Sequence, residues 1–144
     1  MTAAYDSNNI FAKILRGEIP CEKVYEDEAV IAFMDVMPRA NGHVLVVPKV
    51  AARNIFDVEP EALAALILRV QKVARAVKTA MHAEGVTLHQ FNEPAGGQSV
   101  FHIHFHVIPR WEGVALGAHL GKMADRETLK AHADKIRAAL ATEA

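Results

Sequence analysis

Apolar residues recur along the chain with two periods, and the switches between them divide it into eight elements. Ile10, Phe11, Ile14 and Leu15 fall at helical spacing behind Ser7 or Asn8, either of which can cap a short helix, with Gly17 as its stop. Lys23 to Glu26 and Ala29 to Asp35 favour strands, joined by a turn at Asp27-Glu28. After a loop containing Pro38 and Asn41-Gly42, a third strand is expected from His43 to Val47, ended by Pro48, which has no N–H for a ladder. A long helix follows, with Asp57 as its cap and Pro60 in its first turn. Leu63, Leu66, Ile67, Val70, Val73, Ala74 and Val77 form its apolar stripe, and Gly85 closes it. Val86 to Phe91 reads as a strand, Asn92 to Ser99 as a Gly-Pro loop, and Val100 to Ile108 as a strand that Pro109 ends. Asp125 can cap a last helix marked by Leu129, Ala133, Ile136 and Leu140. The order α-β-β-β-α-β-β-α predicts an α+β domain with a mainly antiparallel, five-stranded sheet.

Composition agrees with one globular domain over residues 1–144. The chain has 144 residues, 51% hydrophobic and 23% charged, enough to form a core without disulfide or metal, which excludes disorder and a mini-protein scaffold. With 16 basic against 17 acidic residues there is no field to hold duplex DNA, although a small phosphate ligand can still bind locally. The lone Cys21 can form neither an internal disulfide nor a multi-thiolate zinc site, and it reads as structural. Met1 to Asn9 lacks the pattern of a secretory signal, and the apolar run Ala62 to Leu68 is far shorter than the ~20 residues of a membrane span. A cytoplasmic location is expected.

Chemistry concentrates in Phe101-His102-Ile103-His104-Phe105-His106-Val107. In a strand, strict alternation sends the three histidines to one face, rooted about 6.6 Å apart, and the apolar residues to the other. Such a row is either a solvated sheet face, a site for one tetrahedral anion, or a zinc site, since His-x-His plus a third histidine can hold zinc with an open position. Two features favour phosphate. Gly96-Gly97-Gln98-Ser99 lies immediately upstream, offering close backbone approach and a hydroxyl. No carboxylate adjoins the row as a metal ligand or its support, the nearest acids in sequence being Glu93 and Glu112.

His102 to Ile108 match at every position the motif His-φ-His-φ-His-φ-φ, with φ apolar, and on it the chain resembles the histidine-triad nucleotide hydrolases and transferases. The likeness extends over residues 8–110, through Ile10-Phe11-Ala12-Lys13-Ile14, Gly17-Glu18-Ile19-Pro20, Ala32-Phe33-Met34-Asp35 and Gly42 to Lys49. It implies an α+β sheet that dimerises. It further implies that His104 is the nucleophile forming a nucleotidyl-histidine intermediate, with His102 and His106 orienting it and binding phosphate oxygens. His43 aligns with a supporting histidine that fixes a tautomer. Asp35 aligns with the acid that accepts from ribose hydroxyls and Asn92 with a phosphate-side or ribose-side amide, while Gly97, Gln98 and Ser99 fall on the phosphate or leaving-group side. Phe11, Ile14, Ile19, Phe33 and Val36 match apolar positions near the base, where each can equally be core.

Departures narrow the resemblance. Some bacterial relatives carry a Cys-x-x-Cys pair that binds structural zinc, whereas here the stretch reads Asn9-Ile10-Phe11-Ala12, so that zinc is not expected. After the triad the chain continues Pro109-Arg110-Trp111-Glu112-Gly113, as in a bacterial branch, and residues 111–144 form an extension with a helix. Trp111 reads as a surface anchor, and His82, His89, His119 and His132 fit no constellation. The expected protein cleaves a substituted α-phosphate of a purine nucleotide, a phosphoramidate or a dinucleoside polyphosphate, and needs no cofactor. The alternatives are a zinc hydrolase using the triad as ligands and a nucleotide-binding module with little turnover. A homodimer is expected from the family and from Ala62, Ala64, Ala65, Ala74 and Ala76 on the long helix; neither nucleic acid nor membrane is an expected partner.

Overall fold

Eight elements and one 3₁₀ turn build the chain, which the structure, a computed structural model, describes over residues 4–118 and 121–143. His119 lies outside the described residues. Helix α1 spans Ile10–Leu15, strands β1, β2 and β3 span Lys23–Glu26, Val30–Met34 and Val44–Pro48, and helix α2 spans Pro60–Ala80. Strand β4 (Gly85–His89), the turn Pro94–Gly96, strand β5 (Phe105–Arg110) and helix α3 (Arg126–Ala141) complete it. The strands form one antiparallel sheet in the order β1-β2-β3-β5-β4. This is the α+β architecture with a five-stranded antiparallel sheet that the periodicities imply.

Period-two alternation divides the sheet residues between two apolar layers. Val30, Ala32, Met34, Val44, Val46, Ile103 and Val107 point to one face, where they pack with Leu66, Val70, Val73 and Val77 of α2 and Ala133 and Ile136 of α3. Ile31, Phe33, Leu45 and Val47 point to the other, where Phe11 of α1 covers them. The short helix covers less of its face than α2 and α3 cover of theirs, and the space left beside it becomes the site described below. No described helix is long and apolar enough to cross a membrane.

Several boundaries differ from the sequence expectation. Asn9, not Ser7 or Asn8, caps α1, its side chain accepting from Ala12 N at 2.9 Å. Asp57 does not cap α2; its carboxylate accepts from the amides of Arg53 and Asn54 in the preceding turn, and Glu59 stands at the cap. His82, at φ 50°, and not Gly85, turns the chain after α2, and Gly85 is already in β4. Pro48 is the last residue of β3, where it ends the strand, whereas Pro109 lies inside β5 rather than beyond it. Past Val107 the last strand has only β4 as a neighbour, and a proline is tolerated where one side of a strand has no partner. Most consequential for the site, β5 begins at Phe105 rather than Val100, so His102 and His104 precede the ladder.

Candidate functional site

Between α1 and the sheet lies a cavity of about 280 Å³ lined mainly by apolar side chains, together with His43, His104 and His106. Phe11, Ile14, Ile19, Phe33 and Val36 line it, as do Asp35, His43, Ser99, His104 and His106. Ile10, Pro20, Cys21, Met37, Arg39, Leu45 and Val100 line it as well, and no chemical pattern in the sequence marks them out. Cys21 is half-buried there, and burial raises its thiol pKa.

His104 is buried against the edge of Phe11, ring centroids 4.8 Å apart at 90°. Its Nδ1–H donates to the His102 carbonyl at 2.7 Å. A carbonyl can only accept, so this bond fixes the tautomer and leaves the lone pair on Nε2. Burial lowers the pKa of His104 to about 4, its hydrogen bond to the backbone opposing the shift only in part. A neutral imidazole with a free lone pair, on a side chain that lines a cavity, can act chemically as a nucleophile.

The ring of His106 lies 4.9 Å from that of His104, centroid to centroid. Its Nδ1 meets His43 Nε2 at 2.9 Å. The donor in this pair follows from a third group: the backbone amide of Arg39 donates to His43 Nδ1 at 3.0 Å, so neutral His43 carries its proton on Nε2 and donates to His106. Neutral His106 in turn carries its proton on Nε2. Asp35 stands behind this pair, with Oδ2 3.5 Å from His43 Nε2 and Oδ1 accepting from Met37 N at 2.8 Å. The β2–β3 hairpin brings Asp35 and His43 together, since the ladder ends at Met34↔Val44 and the Asp35 amide donates to the His43 carbonyl. A carboxylate therefore does adjoin the triad through space, contrary to the reading from sequence neighbours.

His102 is placed differently from its two companions. Its ring is fully buried, outside the cavity lining, with Nε2–H donating to the Pro48 carbonyl at 2.8 Å and Nδ1 accepting from the Tyr5 hydroxyl at 2.7 Å. Burial lowers its pKa, keeping it neutral. Asn92, Gly97 and Gln98 do not line the cavity either. Asn92 Oδ1 accepts from Ile55 N at 2.8 Å and from Gln90. Gln98 is buried, donating to the Arg53 and Val100 carbonyls and accepting from Asn54 Nδ2 and Glu93 N. Arg53 pairs through two nitrogens with the carboxylate of Glu93, and this network pins the loop that leads to Ser99. Gly97, at φ 93°, occupies the left-handed region that favours glycine.

Two residues expected to be ordinary acquire neighbours: the His89 ring lies 6.5 Å from that of His106 across β4 and β5, and Trp111 Nε1 donates to the His82 carbonyl at 3.1 Å. Tyr5 and the Arg39 amide are contributors that sequence reasoning missed. One acts across 97 residues and the other through its backbone, which has no signature in a side-chain pattern.

The donor set does not fit a resident metal ion. Both His102 nitrogens are engaged, so the triad does not converge on a point. Asp35, His43 and His106 do place ligand atoms within 4.8 Å of one another. Yet a histidine ligates through an unprotonated nitrogen, and the Arg39 amide directed at His43 Nδ1 forces the proton onto Nε2, the atom that would have to ligate.

A family model described as the HIT domain matches residues 16–113. A HIT-like protein of Bartonella henselae, described as involved in cell-cycle regulation and solved with an unknown ligand, superimposes with a TM-score of 0.89 at 54% identity, covering 94% of this chain and 99% of its own. A zinc-bound histidine-triad protein of Mycobacterium smegmatis superimposes at 0.83 with 35% identity, covering 93% of this chain and 94% of its own. The adenylylsulfatase HINT3 of Arabidopsis thaliana is 35% identical over 127 residues, 88% of this chain and 61% of that longer protein.

Proposed function

This chain belongs to the histidine-triad (HIT) family, and from that premise we propose that it is a nucleotide hydrolase or transferase that cleaves substituted α-phosphates of purine nucleotides through a nucleotidyl-histidine intermediate. One observation carries the reading: the Nδ1–H of His104 is tied to the His102 carbonyl, which leaves the lone pair on Nε2 of a side chain that lines the cavity. In the first step His104 Nε2 bonds to the α-phosphorus while the bond to the leaving group breaks. The departing atom takes its proton from solvent, while His106 Nε2–H, its tautomer fixed by His43 Nε2–H at Nδ1, donates to the oxygens on phosphorus as charge develops there. Water then attacks the phosphoramidate: its oxygen bonds to phosphorus, the electron pair of the N–P bond returns to His104 Nε2, and the displaced proton goes to solvent. The apolar lining of the cavity, from Phe11 to Phe33, receives the base, Asp35 the ribose hydroxyls, and the Ser99 hydroxyl after Gly97 the phosphate side. Asn92 and Gln98 act here by holding that loop rather than by touching substrate.

The homodimer belongs to the same proposal. Ala76 is buried in the chain's own core, which leaves Ala62, Ala64, Ala65 and Ala74, with exposed Ile67 and Leu68 on α2 and Leu88 on the edge strand β4, as apolar surface for a second copy. Light scattering giving a monomer mass at micromolar concentration would remove it.

The deciding experiment is turnover of an adenosine phosphoramidate and a diadenosine polyphosphate in the presence of a chelator. Turnover of either supports the reading. Activity that appears only with added zinc, or stoichiometric zinc in protein purified without it, would replace the reading with metal-assisted hydrolysis. AMP binding without turnover of either compound would leave a binding module.

The pH profile offers an independent check. Only the neutral imidazole carries the attacking lone pair, and burial lowers the pKa of His104 to about 4 from the ordinary 6.5. Lowering the pH through 6.5 should therefore leave kcat/KM nearly unchanged, with the acid limb falling towards pH 4. A half-maximum near 6.5 would mean that an ordinary, exposed histidine is the reacting base.

A further inference from the structure

The nucleophile is oriented by a peptide that the sheet does not hold. The strand β5 begins at Phe105, and the carbonyl that fixes His104 belongs to His102, three residues earlier. In a ladder, neighbouring strands would set that carbonyl's direction. Here the Ile103 amide anchors the backbone by donating to the Ala52 carbonyl at 2.9 Å. A further restraint comes from the His102 ring, clasped at both nitrogens.

From this arrangement we infer that Tyr5 is a positioning residue for the nucleophile, acting through His102. The inference rests on His104 being the reacting group. The hydroxyl of Tyr5 donates to His102 Nδ1 at 2.7 Å, and its ring meets the imidazole edge-on, centroids 5.6 Å apart at 69°. Donation into Nδ1 and the Pro48 carbonyl on Nε2–H together hold His102 in one neutral tautomer and one rotamer. A ring fixed in this way fixes its own Cα and the carbonyl beside it, to which His104 is bound at 2.7 Å. Tyr5 is itself held near α1, because the Asn9 amide donates to the Asp6 carbonyl and Arg16 Nη1 donates to the Ser7 carbonyl at 2.8 Å. Tyr5 lies before residue 16, where the family model begins, so this member of the clasp is supplied from outside the matched segment.

The test is Tyr5→Phe, which keeps the ring and its edge contact and removes only the O–H. Loosening the carbonyl should lower kcat by about tenfold with KM changed less than about twofold, because the cavity wall is untouched while the attacking atom is less well aimed. A second readout needs no substrate. In wild-type protein with ¹⁵N-labelled histidine, His102 should show a protonated Nε2 and a hydrogen-bonded, unprotonated Nδ1. In the Phe variant its Nδ1 resonance should move, and the His104 Nδ1–H should exchange faster with solvent. If kcat, the His102 resonances and the His104 exchange rate all stay at wild-type values, Tyr5 contributes packing alone and the inference is overturned. A wild-type His102 protonated on Nδ1 would overturn it even if the variant failed to fold. Should wild-type protein turn over neither compound, the enzymatic reading fails, and the two ring-nitrogen measurements still decide whether Tyr5 sets the geometry of His104.

Discussion

His104→Ala is expected to lower turnover by roughly 10⁴-fold or more while AMP affinity changes only several-fold. The substitution removes the single atom that forms the bond to phosphorus. The contacts proposed for the nucleotide, with the apolar wall, Asp35 and Ser99, belong to other residues and stay in place. His43→Ala should cost less, because it removes the donor to His106 but leaves the nucleophile and its carbonyl intact. Rapid quenching of wild-type enzyme should trap one nucleoside monophosphate on the peptide that contains His102, His104 and His106, and acid should release it, as a phosphoramidate requires. Near-normal turnover by His104→Ala, or an adduct on Ser99, would transfer the nucleophile's role to a hydroxyl or to water.

Gln98→Ala should be the most damaging substitution for stability near the site. The side chain is buried and joins four partners: the carbonyls of Arg53 and Val100, the Asn54 amide group and the Glu93 N–H. Alanine leaves these groups, one buried and the others partly so, without this partner, a loss of about 3 kcal/mol, which for a domain of this size lowers Tm by roughly 6–12 °C. Because the same network directs the chain into Ser99, kcat/KM should also fall in the fraction that remains folded. A Tm within about 2 °C of wild type would show that water replaces the amide easily and that Gln98 is free for a substrate contact.

The apolar periods made most of the architecture legible before any coordinates. Leu66, Val70, Val73 and Val77 recur at helical spacing and all reach the core, and Val30 to Met34 and Val44 to Val47 supply both faces of the sheet. Burial of apolar area is a local demand that each element carries in its own spacing. Ends of elements were less legible, because several side chains can satisfy the same free backbone group. Asn9 rather than Ser7 or Asn8 took the cap of α1, and Asp57 bonded its own turn instead of α2.

The site divides along the same line. Alternation of His104 and His106 with Ile103, Phe105 and Val107 placed those two histidines on the cavity side, since a β-type backbone sends successive side chains to opposite faces whatever the fold around it. It did not determine where the His102 ring goes, because its partners Pro48 and Tyr5 come from 54 and 97 residues away and lie outside any ladder register. Nor did it reveal that Asp35 stands behind His43, or that the Arg39 amide chooses the His43 tautomer. Hydrogen bonds are short-ranged and directional, so which nitrogen holds a proton depends on atoms that become neighbours only after the chain has folded.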